Sequence, residues 1–280
     1  MRISTECHDC LKRLAAQASA FATDDPALRD ESIRAAEKVL QQNWKPGAVS
    51  IEIATPMHYA VKQVTGNNDP YRRVKDVEIE EARRLFALVR DNYKESFVDY
   101  LRLAALGNAI DFFRPIEELK QEAMDNRLEF TVDDSHLLEG KIRKSNLVLY
   151  LADNTGEVYF DMPLLNLMRK YARTLYVVKE QPVQNDITVA DIGKAGMLEE
   201  AGEVMTTGTA TPGVLFELAS GEFKKVFAEA DFVFTKGMGY YETLGELPMK
   251  GRMFFCLKAK CGPVARSLGV PLDSYVAKLH

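Results

Sequence analysis

Asp153, Asn154 and Glu157 fall within five residues, Asp153-Asn154-Thr155-Gly156-Glu157, directly after an apolar run, Leu147 to Leu151. Carboxylate and amide oxygens are hard donors that suit Mg²⁺ or Mn²⁺ better than zinc. A run of Leu, Val and Tyr this short has the length of a buried strand, and an amphipathic segment follows at once. The polar group therefore belongs just past a strand's C-terminal end, where ligands bind in open α/β sheets. Gly156 lets the backbone turn tightly there. A turn with a helix cap uses the same residue types. The chemical reading gains from three further polar loops that follow apolar strands downstream.

The first of these loops contains Asn185 and Asp186, either of which can cap a helix starting near Ile187. Asp191, about one turn into that helix, could complete a carboxylate–amide–carboxylate set with Asp153 and Asn154, or be a solvated residue at the favourable end of the helix dipole. The second loop, Thr207 to Val214, carries the hydroxyls and glycines that can present backbone N–H groups to phosphate. The third is Lys236-Gly237-Met238-Gly239, a point charge beside an approachable glycine backbone, which is what a phosphate oxyanion needs. Upstream, Gly107-Asn108 with Asp111 places an amide and a carboxylate on one helix face, or simply caps a helix. Together these residues are the equipment for metal-assisted phosphoryl transfer or hydrolysis.

Residues 1 to about 125 carry apolar residues at helical spacing. Helices are expected over Cys7–Phe21, from Pro26 onward, within Ala48–Val64 starting at Thr55-Pro56, over Val74–Tyr93, Val98–Asn108, Ile116–Asn126 and Leu137–Lys144, with an extended piece at Glu129–Val132. From about residue 146 strands alternate with helices, which argues a parallel sheet with crossover helices. Strands are expected at Leu147–Leu151, Thr174–Val178, Glu203–Thr206, Phe232–Thr235, Met253–Leu257 and Ser274–Val276. Helices are expected at Val158–Ala172, Ile187–Ala195, Gly213–Ala219, Glu222–Ala230 and Gly262–Leu268. The fold class is α/β: a Rossmann-like, mainly parallel sheet over residues 146–280, with an all-helical cap over 1–145. A pocket between cap and sheet edge is the natural ligand site.

Composition limits the alternatives. Of 280 residues, 46% are apolar and 28% charged, as in a soluble globular protein. The net charge of −5 gives no basic surplus for nucleic acid. No apolar run approaches the ~20 residues of a membrane helix, and MRISTECHDC has no signal-peptide core, so a cytoplasmic protein is expected. The four histidines are not paired for a metal or triad site. The four cysteines are too few for a disulfide scaffold. Cys7-x-x-Cys10 could join Cys256 and Cys261 in a zinc or redox site, close a helix start or act as a redox-sensitive accessory, while Cys256 in an apolar strand reads as a buried thiol.

In order and spacing, these motifs resemble the metal-dependent damage-control phosphatases, ARMT-like proteins long filed as domain of unknown function 89. The resemblance spans nearly the whole chain: Cys7-His8-Asp9-Cys10, Gly107-Asn108 with Asp111, Asp153-Asn154-Thr155-Gly156-Glu157, Asn185-Asp186 leading to Asp191, Lys236-Gly237-Met238-Gly239 with Glu242, and Lys258-Ala259-Lys260-Cys261. It implies a divalent metal (Mn²⁺, Mg²⁺, Co²⁺ or Ni²⁺) on Asp153, Asn154 and Asp191. It implies that Lys236, with the Gly237 backbone, contacts phosphate, and that Asn108 and Asp111 shape the substrate end. Glu157 is read as the general base or water-orienting residue. The substrate implied is a sugar phosphate or damaged phosphometabolite. The run Met238-Gly239-Tyr240-Tyr241 departs from the family pattern, which has an amide after the Lys-Gly pair. Two rival readings are an adenosyl-methionine-dependent methyltransferase, which would want its glycines before the acid, and a non-catalytic metal or metabolite sensor.

Overall fold

The computed structural model describes residues 1–109 and 128–280. Asp111 and the helix expected over 116–126 lie outside the described residues.

Three helices open the chain: α1 (Thr5–Ala22), α2 (Pro26–Asn43) and α3 (Ser50–Thr65). Asp25 caps α2, accepting from the Ala27 and Leu28 N–H groups at 2.9 and 3.3 Å, and Pro26 takes the first position, where no hydrogen bond is missed. The third helix begins earlier than Thr55-Pro56. Glu52 takes the Val49 N–H at 3.1 Å, and the helix runs through Pro56, which removes one donor without ending it. Leu11, Ala15, Ala36, Leu40, Ile53 and Met57 form the core of this three-helix unit. Next come α4 (Arg72–Val89) and α5 (Phe97–Gly107), which pack instead against the sheet.

The sheet has seven strands among the described residues: β1 (Phe130–Asp133), β2 (Leu147–Leu151), β3 (Arg173–Val178), β4 (Val204–Thr206), β5 (Phe232–Lys236), β6 (Met253–Lys258) and β7 (Tyr275–Leu279). Their spatial order is β1-β7-β6-β5-β2-β3-β4. β2, β3, β4, β5 and β6 run parallel; β7 is antiparallel to β6 and carries β1 parallel to itself. β1 comes from the stretch before residue 145 and forms one edge. The intervening helices are α6 (Ser135–Ile142), α7 (Val158–Arg169), α8 (Val189–Lys194), α9 (Leu198–Ala201), α10 (Gly221–Glu229), α11 (Gly237–Leu244) and α12 (Gly262–Leu268).

Alternate strand residues feed opposite layers. Val148, Tyr150, Tyr176, Phe232 and Phe234 pack with α4, α5 and α7, while Leu149, Leu151, Val177, Val233 and Phe255 pack with α10, α11 and α12. Coverage of both faces explains why the strands read as continuous apolar runs. The chain leaves β2 for β3 on one side and returns as β5 on the other. The strand order thus switches at β2, which puts a crevice at its C-terminal end.

Two further segments differ from expectation. Residues 213–219 form a turn rather than a helix: Gly213 has φ +62°, and a Cβ there would lie 2.2 Å from the Gly239 carbonyl oxygen. The glycine-rich stretch after Lys236 is helical, as α11. No described helix is long and apolar enough to cross a membrane.

Candidate active site

The chain leaves β2 through Ala152 and Asp153, makes one 3₁₀ turn, Thr155–Glu157, and enters α7. The loop after β3 is zipped to it. Ile187 N–H donates to the Asp153 carbonyl at 2.9 Å, Thr155 N–H donates to the Asn185 carbonyl at 2.9 Å, and Asn154 bridges Asp186. This pairing sets Asp186 beside Asp153 and Asn154.

Asp153 Oδ2 accepts from the side-chain amides of Asn108 and Asn154, each at 3.0 Å. The same amides donate to Glu157 Oε1 at 2.7 and 2.8 Å, and the Asn154 backbone N–H adds a third bond at 3.3 Å. Lys236 Nζ donates to Glu157 Oε2 at 2.5 Å and to Asp161 Oδ1 at 2.7 Å. Tyr150 and Tyr176, directly opposite each other on β2 and β3, donate to the two Asp161 oxygens at 2.7 and 2.9 Å. Glu157, Asp161 and Lys236 are wholly buried; Asp153 and Asn154 are half-buried.

Four carboxylates thus share the crevice with two buried ammoniums, Lys236 and Lys179. Lys179 Nζ donates to Tyr240 Oη at 2.9 Å and to the Gly213 carbonyl, and stands 3.4 Å from Asp186 Oδ2. Burial, with the charges of Glu157 and Asp186, pushes the Asp153 carboxyl well above the usual range. Burial pushes Asp186 up to about 6, against the pull of Lys179. Asp161 is also raised by burial, with Lys236 opposing.

A family model described as the damage-control phosphatase ARMT1-like domain matches residues 3–276. The chain belongs to this family. It is 35% identical over 283 residues to a damage-control phosphatase of Pyrococcus horikoshii, across 99% of this chain and 97% of that one. A damage-control phosphatase of Archaeoglobus fulgidus is 30% identical over 289 residues, covering 100% and 99% of the two chains. The crystal structure of a family-89 protein from P. horikoshii matches with a TM-score of 0.92 at 33% identity, over 100% of this chain and 99% of that one.

In this ARMT1-like chain, Asp153, Asn154, Glu157, Asn108 and Lys236 come together. Gly237 joins them through space rather than through contact with a ligand: at φ +76°, a Cβ there would lie 1.9 Å from Asp153 Oδ2. Asn108 is 1% exposed; its Oδ1 accepts the Lys258 N–H at 3.1 Å, tying α5 to the end of β6. Lys236 is spent on two carboxylates rather than reaching outward, and Glu157 has its oxygens occupied by donors.

Asp191 serves elsewhere. Its Oδ2 accepts from the Thr188 N–H and hydroxyl at 3.0 and 2.6 Å and pairs with Lys75 at 3.1 Å, while Lys75 also pairs with Asp69 at 2.9 Å. Thr188 and Asp191 form a capping box, a threonine with an acid three residues on, and that signature is visible in the sequence. The carboxylate zipped to Asp153 is Asp186, which sequence reasoning treated only as a cap. Asp161 and Lys179, which the sequence reading did not single out, lie in the same cluster. Asp161 lies four residues after Glu157, on the same helix face, and Lys179 directly follows an apolar strand, much as Lys236 ends one.

A divalent cation suits these donors. Asp186 Oδ2 is buried and, apart from the Lys179 ammonium at 3.4 Å, meets no donor among the described residues, and the charges of Asp153, Glu157 and Asp186 bear on one another. No three His, Cys, Asp or Glu side chains among the described residues come together as a cage. A cation here would take two carboxylates and an amide, with solvent or substrate oxygens completing its shell, as Mg²⁺ accepts. The threonine loop is tied to itself, Thr207 to Thr209 at 3.2 Å and Thr209 to Thr211 at 2.9 Å. It does line a cavity of about 580 Å³ between α3 and the sheet edge, with His58, Lys62 and Pro182. A groove of about 640 Å³ between α4, α5 and α7 contains none of the site carboxylates.

Proposed function

We propose that this chain is a metal-dependent phosphatase acting on a small phosphorylated metabolite, with Asp153, Asn154 and Asp186 as the protein ligands of a divalent cation. The observation that carries this reading is the zipping of the β2 and β3 loops, which sets two carboxylates and an amide together at the sheet's switch point. The P. horikoshii and A. fulgidus relatives, both damage-control phosphatases, support the phosphatase chemistry. A bound Mg²⁺, Mn²⁺, Co²⁺ or Ni²⁺ would polarise a phosphoryl oxygen and acidify water.

The chain's own residues prepare that site. Glu157 is a positioning residue: it holds the Asn108 and Asn154 amides, which in turn orient Asp153. Lys236 holds Glu157 and Asp161 together, its ammonium donating to both side chains. Lys260 lies close enough for its charge to favour ionised Asp153, and gives an arriving phosphate a cation to meet. The half-exposed face of Asp153 and Asn154 is the side open to substrate.

Phosphate release from a panel of sugar phosphates and other phosphate esters tests the proposal, using metal-stripped protein and then each metal added separately. Metal-dependent release that disappears in Asp153→Ala, with the fold retained, is expected. Release without metal, or release kept by Asp153→Ala, overturns it. Metal binding with no turnover of any ester would make the protein a sensor.

A further inference from the structure

Three of the four cysteines meet around one small cavity. Cys7 and Cys10, one turn apart on α1, share a face of that helix. Cys261, more than two hundred residues away, caps the start of α12. All three line a cavity of about 290 Å³ together with Leu11, Glu242 and Lys260. Next to it, Arg266 on α12 pairs with Glu6 on α1 at 3.1 Å, so the two helix ends are fastened side by side. Cys256 is excluded: it is wholly buried in β6.

We propose that Cys10 and Cys261 form a thiol–disulfide switch that staples the helical region to the β6–α12 turn beside the active site. The oxidant is a low-molecular-weight disulfide, RSSR. The Cys10 thiolate attacks one sulfur of RSSR, forming Cys10–S–S–R and releasing RS⁻, which takes up the proton Cys10 lost. The Cys261 thiolate then attacks the Cys10 sulfur, closing the protein disulfide and releasing the second RS⁻, which is protonated in turn. Two protein thiols lose two electrons and two protons, and one RSSR becomes two RSH. A disulfide needs Cα atoms roughly 4–7 Å apart, and Cys10 and Cys261 line the same small cavity.

Cys10 is chosen over Cys7 because it is exposed to an incoming disulfide, whereas Cys7 is half-buried and its sulfur accepts the Ser4 N–H at 3.4 Å. Burial pushes the Cys261 thiol up to about 11 and also raises Cys10. Both thiols therefore stay largely protonated at neutral pH and exchange slowly, so the switch reports sustained oxidising conditions rather than brief ones. The bond would act on the site through a short path. Cys261 follows Lys260, whose charge bears on Asp153, and lies three residues after Lys258, whose N–H is held by Asn108.

The test uses the full chain, reduced and then equilibrated with glutathione disulfide and glutathione at graded ratios. The readouts are intact mass, non-reducing peptide mapping and metal-stimulated phosphate release. A mass loss of two hydrogens, a Cys10–Cys261 cross-linked peptide and a change in KM or kcat reversed by reductant are expected. Cys261→Ser should leave a glutathione adduct on Cys10 and abolish the cross-link, with unchanged basal activity. A wild-type chain that yields only glutathione adducts, only a Cys7–Cys10 bridge or no oxidation overturns the proposal. So does a Cys10–Cys261 bond that leaves kinetics unchanged. Cross-link mapping does not depend on turnover, so failure of the phosphatase reading is distinguishable from failure of the thiol pairing.

Discussion

Lys236 and Glu157 form an ion pair of 2.5 Å with neither side chain exposed. Asp161 takes a second bond from the same ammonium at 2.7 Å. Removing one partner of such a buried pair strands the charge of the other, at a cost of about 3–5 kcal/mol. Lys236→Met should therefore lower the melting temperature sharply. Adding Glu157→Gln to that variant should recover part of the loss, because one stranded charge is then gone. Thermal denaturation of the single and double variants checks this. A Lys236→Met protein with wild-type stability and only a raised KM would return Lys236 to the direct phosphate contact expected from sequence.

Gly237 is required by Asp153. The 1.9 Å approach of a Cβ to Asp153 Oδ2, at φ +76°, means that alanine strains the backbone and displaces the carboxylate. Strain of this kind costs about 1–3 kcal/mol, whereas misplacing a reacting or ligating group by about 1 Å can cost hundredfold in rate. Gly237→Ala should thus remain folded and lose at least about hundredfold in kcat/KM. Kinetics paired with circular dichroism decide it; near-normal turnover would show that Asp153 has freedom to move.

The strands and turns were legible because their signals are local. Leu147–Leu151 is apolar throughout, being covered on both faces, and Asp-Asn-Thr-Gly punctuates its end. Gly262–Leu268 likewise announces itself by a proline near its start and a glycine at its end. The choice between Asp186 and Asp191 was not local. Both follow the same strand, and the backbone zipper between Asn185, Ile187 and the Asp153 loop sets Asp186 rather than Asp191 beside that loop. Whether Lys236 points out or in depends on Asp161, whose burial is fixed by tyrosines on two neighbouring strands. The 213–219 turn depends on the close backbone approach of Gly213 to Gly239, which no helical spacing encodes.

Asp186 and Asp191 separate by function. Asp186→Asn should weaken Mn²⁺ or Mg²⁺ binding at least about tenfold, since a charged hard donor becomes neutral. Its effect on stability should be small, because a carboxylate that burial disfavours is removed while the Lys179 it faced keeps its bonds to Tyr240 and the Gly213 carbonyl. Asp191→Asn should do the opposite: metal binding largely kept, and stability lowered by about 1–3 kcal/mol for the weakened cap and the buried Lys75 pair. Calorimetric metal titration and thermal melts of both variants supply the comparison. Lost metal binding in Asp191→Asn alone would restore Asp191 to the ligand set.

His58 supplies an acid sensitivity with a defined sign. The ring is buried, with Nε2 3.0 Å from Gln184 Nε2 and its centroid 6.0 Å from that of Tyr71. Burial, helped by the Lys62 charge, lowers it from 6.5 to about 4. The folded state therefore holds the neutral ring while the unfolded chain takes up the proton. The stability this contributes is complete above pH 6.5 and is lost as the pH falls from 6.5 toward 4, by up to about 3 kcal/mol. Asp153, Asp161 and Asp186, raised by burial, work the other way, because folding makes them bind protons more readily and so favours the fold as pH falls. The wild-type profile is thus a sum of opposing slopes, and the difference between wild type and His58→Gln isolates the histidine. That difference should shrink steadily as acid is added across the window. A difference that does not vary with pH would mean that the ring titrates in the folded protein as it does in the unfolded chain.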